Sequence, residues 1–179
     1  MIILLELLFI IILGCLLHFT YEWSHHNKLV GWFSAVNEST WEHIKITVLP
    51  IFLTTIMDYW SFGENPNYWF AKFAMVLFSV VMLPAIFYLI QAILKKTIII
   101  MDIMIFCLVV VYSVVVFNGI LLTGALGLET FGQVGCIVIL AVFAFSTFFP
   151  MKNFLFMDPR NKKCGFLGHE CHHAHKRKK

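Results

Sequence analysis

The sequence predicts an all-α integral membrane helical bundle of about five transmembrane helices, with its amino terminus outside and its carboxyl terminus in the cytoplasm. Three observations predict it. Hydrophobic residues fill 60% of the 179 positions and charged residues 13%, against roughly 45–50% and about 25% in ordinary soluble domains. The few charges punctuate long uncharged runs, and lysine and arginine gather in the last segment. The 19 Phe and 5 Trp are more apolar surface than a soluble domain of this size buries. The same composition excludes disorder, collagen, a coiled coil and a nucleic-acid-binding module.

A helix needs about 20 predominantly apolar residues to cross roughly 30 Å of hydrocarbon. Lipid offers no partner to an open backbone, so each span is a helix. The first is expected over about 2–20, with Glu6 at the headgroup level. It has no basic leader and no small-residue cleavage site, so it reads as a retained helix rather than a signal peptide. The second, about 44–60, needs Lys45 and Asp58 near its two ends. The third, about 68–94, contains the uncharged run 73–94. The fourth, about 98–121, leads into another uncharged run that lasts to Glu129. Asn118 and Gly119 are expected to end it, leaving 120–130 as a glycine-bearing loop or a partial re-entrant segment. The fifth, about 131–149, closes a transmembrane domain over 1–150. Pro50 and Pro84 fall inside spans and are expected to kink them.

Residues 151–179 form a basic tail rich in His and Cys, with eight Lys and Arg against two Asp and Glu. The positive-inside rule places such a tail in the cytoplasm. Five spans then put the amino terminus outside, with the loops at Lys28 and Lys95–Lys96 inside and those at Glu64 and Glu129 outside. The expected setting is multi-pass in the cell membrane. The expected partners are the lipid bilayer, anionic lipids at the tail (about 1 kcal/mol per basic residue) and either a second copy or a membrane partner subunit; no nucleic acid is expected. Cys164 and Cys171 would face a reducing compartment, so no disulfide is expected.

Polar chemistry concentrates in 18–45, which holds four of the 8 His and three of the 10 acidic residues. On a helix continuing from the first span, His18, Glu22 and His25 share one face, with Cys15 a turn before. On the second span, His43, Thr47, Pro50, Thr54 and Asp58 form another stripe. A short connection makes these helices antiparallel neighbours. His and Glu on facing helices hold a divalent metal or pass protons, and ionisable groups within a membrane face the bundle interior. The expected metal ligands are therefore His18, Glu22 and His43, with Glu42 or Glu38 as general base on metal-bound water, and a divalent ion such as zinc as the implied cofactor. A structural reading stands beside this one: Ser39-Thr40-Trp41-Glu42 matches a capping box, in which Glu42 returns to the Ser39 amide. A weaker metal set, Cys164, His169, Cys171 and His173, lies in the tail, without a zinc-finger spacing. No H-E-x-x-H, G-x-S-x-G or Walker motif is present.

Two segments carry a resemblance. The stretch HFTYEWSHHNKLVGWFSAVNESTWEHIKI, and FFPMKNFLFMDPRNKKCGF near the end, resemble an uncharacterised family of small bacterial multi-pass membrane proteins. Its marks are an N-E-S-T-W-E-H segment before the second span and a closing F-F-P…D-P segment. The resemblance covers most of the chain. Cys164 stands where an aromatic residue is expected before Gly165, and the His-rich extension after Gly168 is atypical. A more distant likeness is to membrane hydrolases that hold zinc in a helical bundle. Their H-x-x-x-H pair inside a span is missing; His169 and His173 have that spacing, but in the tail. Three functional readings follow: a cytoplasm-facing His/Glu metal or acid–base site, a structural or accessory subunit without catalysis, and a small ion or solute transporter using the stripe down to Asp58.

Overall fold

The computed structural model describes residues 1–95, 99–149, 151, 153–158, 163–164 and 169–170. Among them the chain forms α1 (Ile2–Trp23), α2 (Lys28–Gly31), α3 (Thr40–Phe62), α4 (Tyr68–Leu94), α5 (Ile99–Leu121), α6 (Glu129–Phe148), and a two-residue antiparallel ladder of β1 (Lys163–Cys164) and β2 (His169–Glu170). Four helices are long and apolar enough to cross a membrane: α1, α4, α5 from Ile100, and α6 to Thr147. At 23 residues, α3 matches them in length, but it carries Glu42, Lys45 and Asp58. These helices leave large apolar side chains exposed, among them Leu4, Leu8 and Ile12 of α1, Leu89 and Ile93 of α4, and Val115 of α5. Such surface suits lipid rather than water.

The helix ends lie within four residues of the expected ones. α4 has the expected limits. α3 begins at Thr40 rather than 44, because its first turn is polar yet capped. Ser39 Oγ accepts from the Glu42 amide at 3.4 Å, and Asn37 Oδ1 accepts from the Ser39 amide at 2.9 Å. The reciprocal half of the capping box is redirected. With Asn37 already on the Ser39 amide, the Glu42 carboxylate accepts from the Val36 amide at 3.1 Å. Pro50 and Pro84 both lie inside continuous helices.

Contacts divide the chain into two units. The first comprises Met1–Leu13 and Thr47–Val138. Here α4 buries Tyr68, Ala71, Lys72, Met75, Val76, Ser79 and Leu83, a stripe at helical spacing. It packs on α5, whose Ile105, Val109, Val110, Ser113, Val114 and Phe117 are buried. α6 approaches α4 closely through small residues: a Cβ at Gly132 would run into the Trp69 and Phe70 backbone, and one at Gly135 into the Phe73 ring. Glu129, at the start of α6, accepts from the Trp69 amide at 3.1 Å and sets a negative charge at the amino end of α4.

The span from Leu122 to Leu128 is an irregular loop. It turns at Gly127 with φ +70. Asn67, fully buried, holds it in place. Its Nδ2 donates to the Gly124 carbonyl at 2.9 Å, and its Oδ1 accepts from the Leu126 amide at 2.9 Å. Asn65 Nδ2 meets the Leu121 carbonyl at 3.0 Å, one of the acceptors that the end of α5 leaves open.

The second unit comprises Gly14–Ile46 and Ile139–Lys179. Its core is Trp41, whose indole stacks on Phe143 at 4.6 Å and on Phe156 at 4.5 Å between ring centroids. The Trp41 amide donates to the Leu155 carbonyl at 3.0 Å. The N-E-S-T-W-E-H segment and the chain after the closing F-F-P are therefore packing partners. The connection between α1 and α3 folds back on α1 through Ser34, also fully buried. Ser34 Oγ donates to the Leu17 carbonyl and accepts from the Tyr21 amide at 3.0 Å, and the Ala35 amide donates to Leu17 at 3.1 Å.

Candidate functional site

That fold-back brings Glu38 onto α1. His18 Nε2 lies 3.8 Å from Glu38 Oε2, and His43 Nε2 lies 4.0 Å from the same oxygen. The two imidazole rings are 5.3 Å apart between centroids. One ligand atom from each of the three residues falls within 4.8 Å of the others. All three side chains are partly exposed, between 25% and 29%. His43 is oriented by the backbone. Its Nδ1 is 2.9 Å from the Ser39 carbonyl. A carbonyl only accepts, so Nδ1 carries a proton, and Nε2 is the ring nitrogen that faces Glu38. A backbone carbonyl behind the distal nitrogen is the usual orienting arrangement for a metal-binding histidine.

The other expected site residues lie elsewhere. Glu22 is exposed and outside this group. Glu42 is buried and forms an ion pair with Lys45 at 2.6 Å, while Lys45 Nζ also donates to the Gly31 carbonyl at 3.1 Å. Glu42 and Lys45 thereby fasten residues 31–36 to the start of α3. In the tail, Cys164 and His169 are register partners of the β1–β2 ladder. Cys171 and His173 lie outside the described residues. A groove of about 490 Å³ is lined by Leu17, Thr20, Trp23, Ser24, Val30 and Phe33, and none of the three converging residues is in its wall.

A second polar cluster lies in the first unit, and sequence reasoning missed most of it. Glu6 and Asp58 were expected as boundary charges near the headgroups. Both are instead buried together with Lys72, at 1%, 0% and 1% exposure in that order. Lys72 Nζ meets Glu6 Oε1 at 2.8 Å, Thr54 Oγ1 at 2.8 Å and Asp58 Oδ2. Tyr68 donates its hydroxyl to Asp58 Oδ1 at 2.6 Å, and the Phe117 ring lies 4.5 Å from Lys72 Nζ. The only sequence signal was the presence of these charges inside apolar runs, which needs an internal partner.

A family model described as a family of unknown function, DUF6512, matches residues 1–166. No curated protein and no solved structure matches the chain.

Proposed function

This chain belongs to the DUF6512 family, a family of unknown function, and we propose that it is a multi-pass protein of the cell membrane that binds a divalent metal ion of the zinc class through His18, Glu38 and His43. The observation that carries this reading is the convergence of two imidazoles and one carboxylate within 4.8 Å. Ligands bound about 2.0–2.1 Å from a tetrahedral ion are roughly 3.3 Å apart. The present 3.8 and 4.0 Å separations are close to that distance, and the Glu38 side chain is partly exposed, which leaves room for the rotation that would shorten them. Two histidines and one carboxylate leave a fourth position for water, whose proton the metal makes more acidic. In this reading Glu38 is a ligand rather than a general base, and Glu42 is a structural residue.

Purified protein loaded with zinc and then dialysed is expected to keep one ion per chain. His18→Ala and His43→Ala are expected to lower that to background while the melting temperature of the metal-free protein stays within a few degrees. Equal zinc in wild type and in the double variant, or none in either, overturns the reading.

The basic tail supports a cytoplasmic orientation for the loop between α1 and α3. A cysteine introduced at Lys28 in an otherwise cysteine-free chain is expected to react with an impermeant maleimide only after the membrane is opened. Labelling in intact cells inverts the topology.

A further inference from the structure

We propose that Glu6, Asp58 and Lys72 form a proton-binding site inside the membrane-spanning part of the first unit, with one exchangeable proton seated on Glu6. The proposal rests on residues other than those of the metal site.

Two carboxylates and one ammonium are each at most 1% exposed. With all three ionised the cluster carries a net negative charge away from water, which costs far more than neutralising one member. The contacts say which member is neutral. Lys72 Nζ donates to Glu6 Oε1 and Thr54 Oγ1 and is ion-paired with Asp58 Oδ2. Asp58 is met on both oxygens: Oδ1 accepts from Tyr68, and Oδ2, which like Glu6 Oε2 has no hydrogen bond, lies in ion-pair contact with Lys72. Glu6 is served on one. Its Oε1 accepts from Lys72, while its Oε2 is buried with no hydrogen-bond partner among the described residues. The single Thr54 proton has a nearer acceptor in the Ile51 carbonyl at 2.7 Å than in Glu6 Oε1 at 3.2 Å. An ionised Glu6 would therefore leave a charged oxygen unsolvated, whereas a protonated Glu6 carries its proton on that oxygen.

Among the described residues, Lys72 is the cation that contacts the cluster. The cluster is met by Asp58 and Thr54 from α3, by Lys72 and Tyr68 from α4 and by Phe117 from α5. Tyr59 packs edge-on against Tyr68 at 5.5 Å, and Cys136 of α6 lies within electrostatic reach of Lys72. Lys72 already occupies the centre that a metal cation would need, so the bound species is a proton. A carboxyl that holds its proton only because a neighbouring ion pair is already balanced is sensitive to that pair. Loss of charge at Asp58 transfers the counter-ion role to Glu6 and releases the proton.

The test is infrared difference spectroscopy of the whole protein in lipid nanodiscs near neutral pH, reading the C=O stretch of protonated carboxylic acid. Wild type is expected to show a buried-carboxyl band that shifts in D2O. Glu6→Gln keeps the shape of a protonated glutamic acid and is expected to fold and to lose the band. Asp58→Asn is expected to lose it as well, although Glu6 is intact, because Glu6 becomes the only anion facing Lys72. A wild type without the band, a band that survives Glu6→Gln, or a band unchanged in Asp58→Asn overturns the proposal. The wild-type and Asp58→Asn spectra decide the matter even if Glu6→Gln fails to fold.

Discussion

Lys72→Met is expected to destabilise the protein by about 3–5 kcal/mol, the cost of leaving buried carboxyl groups without their cation. Folded domains are stable by only about 5–15 kcal/mol, so this variant should elute largely as aggregate from detergent and melt far below wild type. The loss comes from uncompensated charge and unmet hydrogen bonds rather than from lost volume, since Met fills nearly the same space. The triple variant Lys72→Met, Glu6→Gln, Asp58→Asn leaves no ionisable group among the three. It is expected to recover most of the lost stability, as neutral replacements of buried ion clusters generally do. Thermal unfolding followed by size-exclusion chromatography reads both. A single variant as stable as wild type, or a triple variant no better than the single, would show that the cluster does not act as one electrostatic unit.

The second large effect is expected at Trp41→Ala. Removing a buried Trp costs about 3–5 kcal/mol where the site cannot collapse. Trp41 touches Phe143 and Phe156 through ring stacking, so the deletion also forfeits aromatic contacts worth about 0.5–1.5 kcal/mol each. Trp41→Phe keeps part of both and should lie between. Limited proteolysis distinguishes this from a general loosening: cleavage within 151–158 should rise first, because Phe156 loses its platform. A wild-type cleavage pattern in Trp41→Ala would remove that role from the indole.

The long helices were legible because apolar runs in lipid admit one backbone solution. The match at α4 is closest, since no charged residue falls within 73–94. α3 was read too short for the same physical reason in reverse. Lys45 and Asp58 marked apparent ends, but each has an internal partner, Glu42 for one and Lys72 for the other. Such partners lie at any distance along the chain; Glu6 and Lys72 are 66 residues apart, and no local pattern announces them. The His18 and His43 pairing followed from two adjacent helices with polar stripes. Helical periodicity pointed to Glu22, four residues after His18, as the third member. The acid that reaches the pair is Glu38, because Ser34 returns the connection to α1, and periodicity carries no information about where a loop turns back.

That serine hydroxyl bridges the Leu17 carbonyl and the Tyr21 amide, two groups that an uninterrupted helix would pair with each other. The stretch belongs to a helix long enough to cross a bilayer, yet its dehydration there involves an atom donated from beyond its own end. In the folded protein the last turns of the first hydrophobic segment therefore share their hydrogen bonding with the connection that follows, so a change at position 34 would be felt inside the helix as well as in the loop.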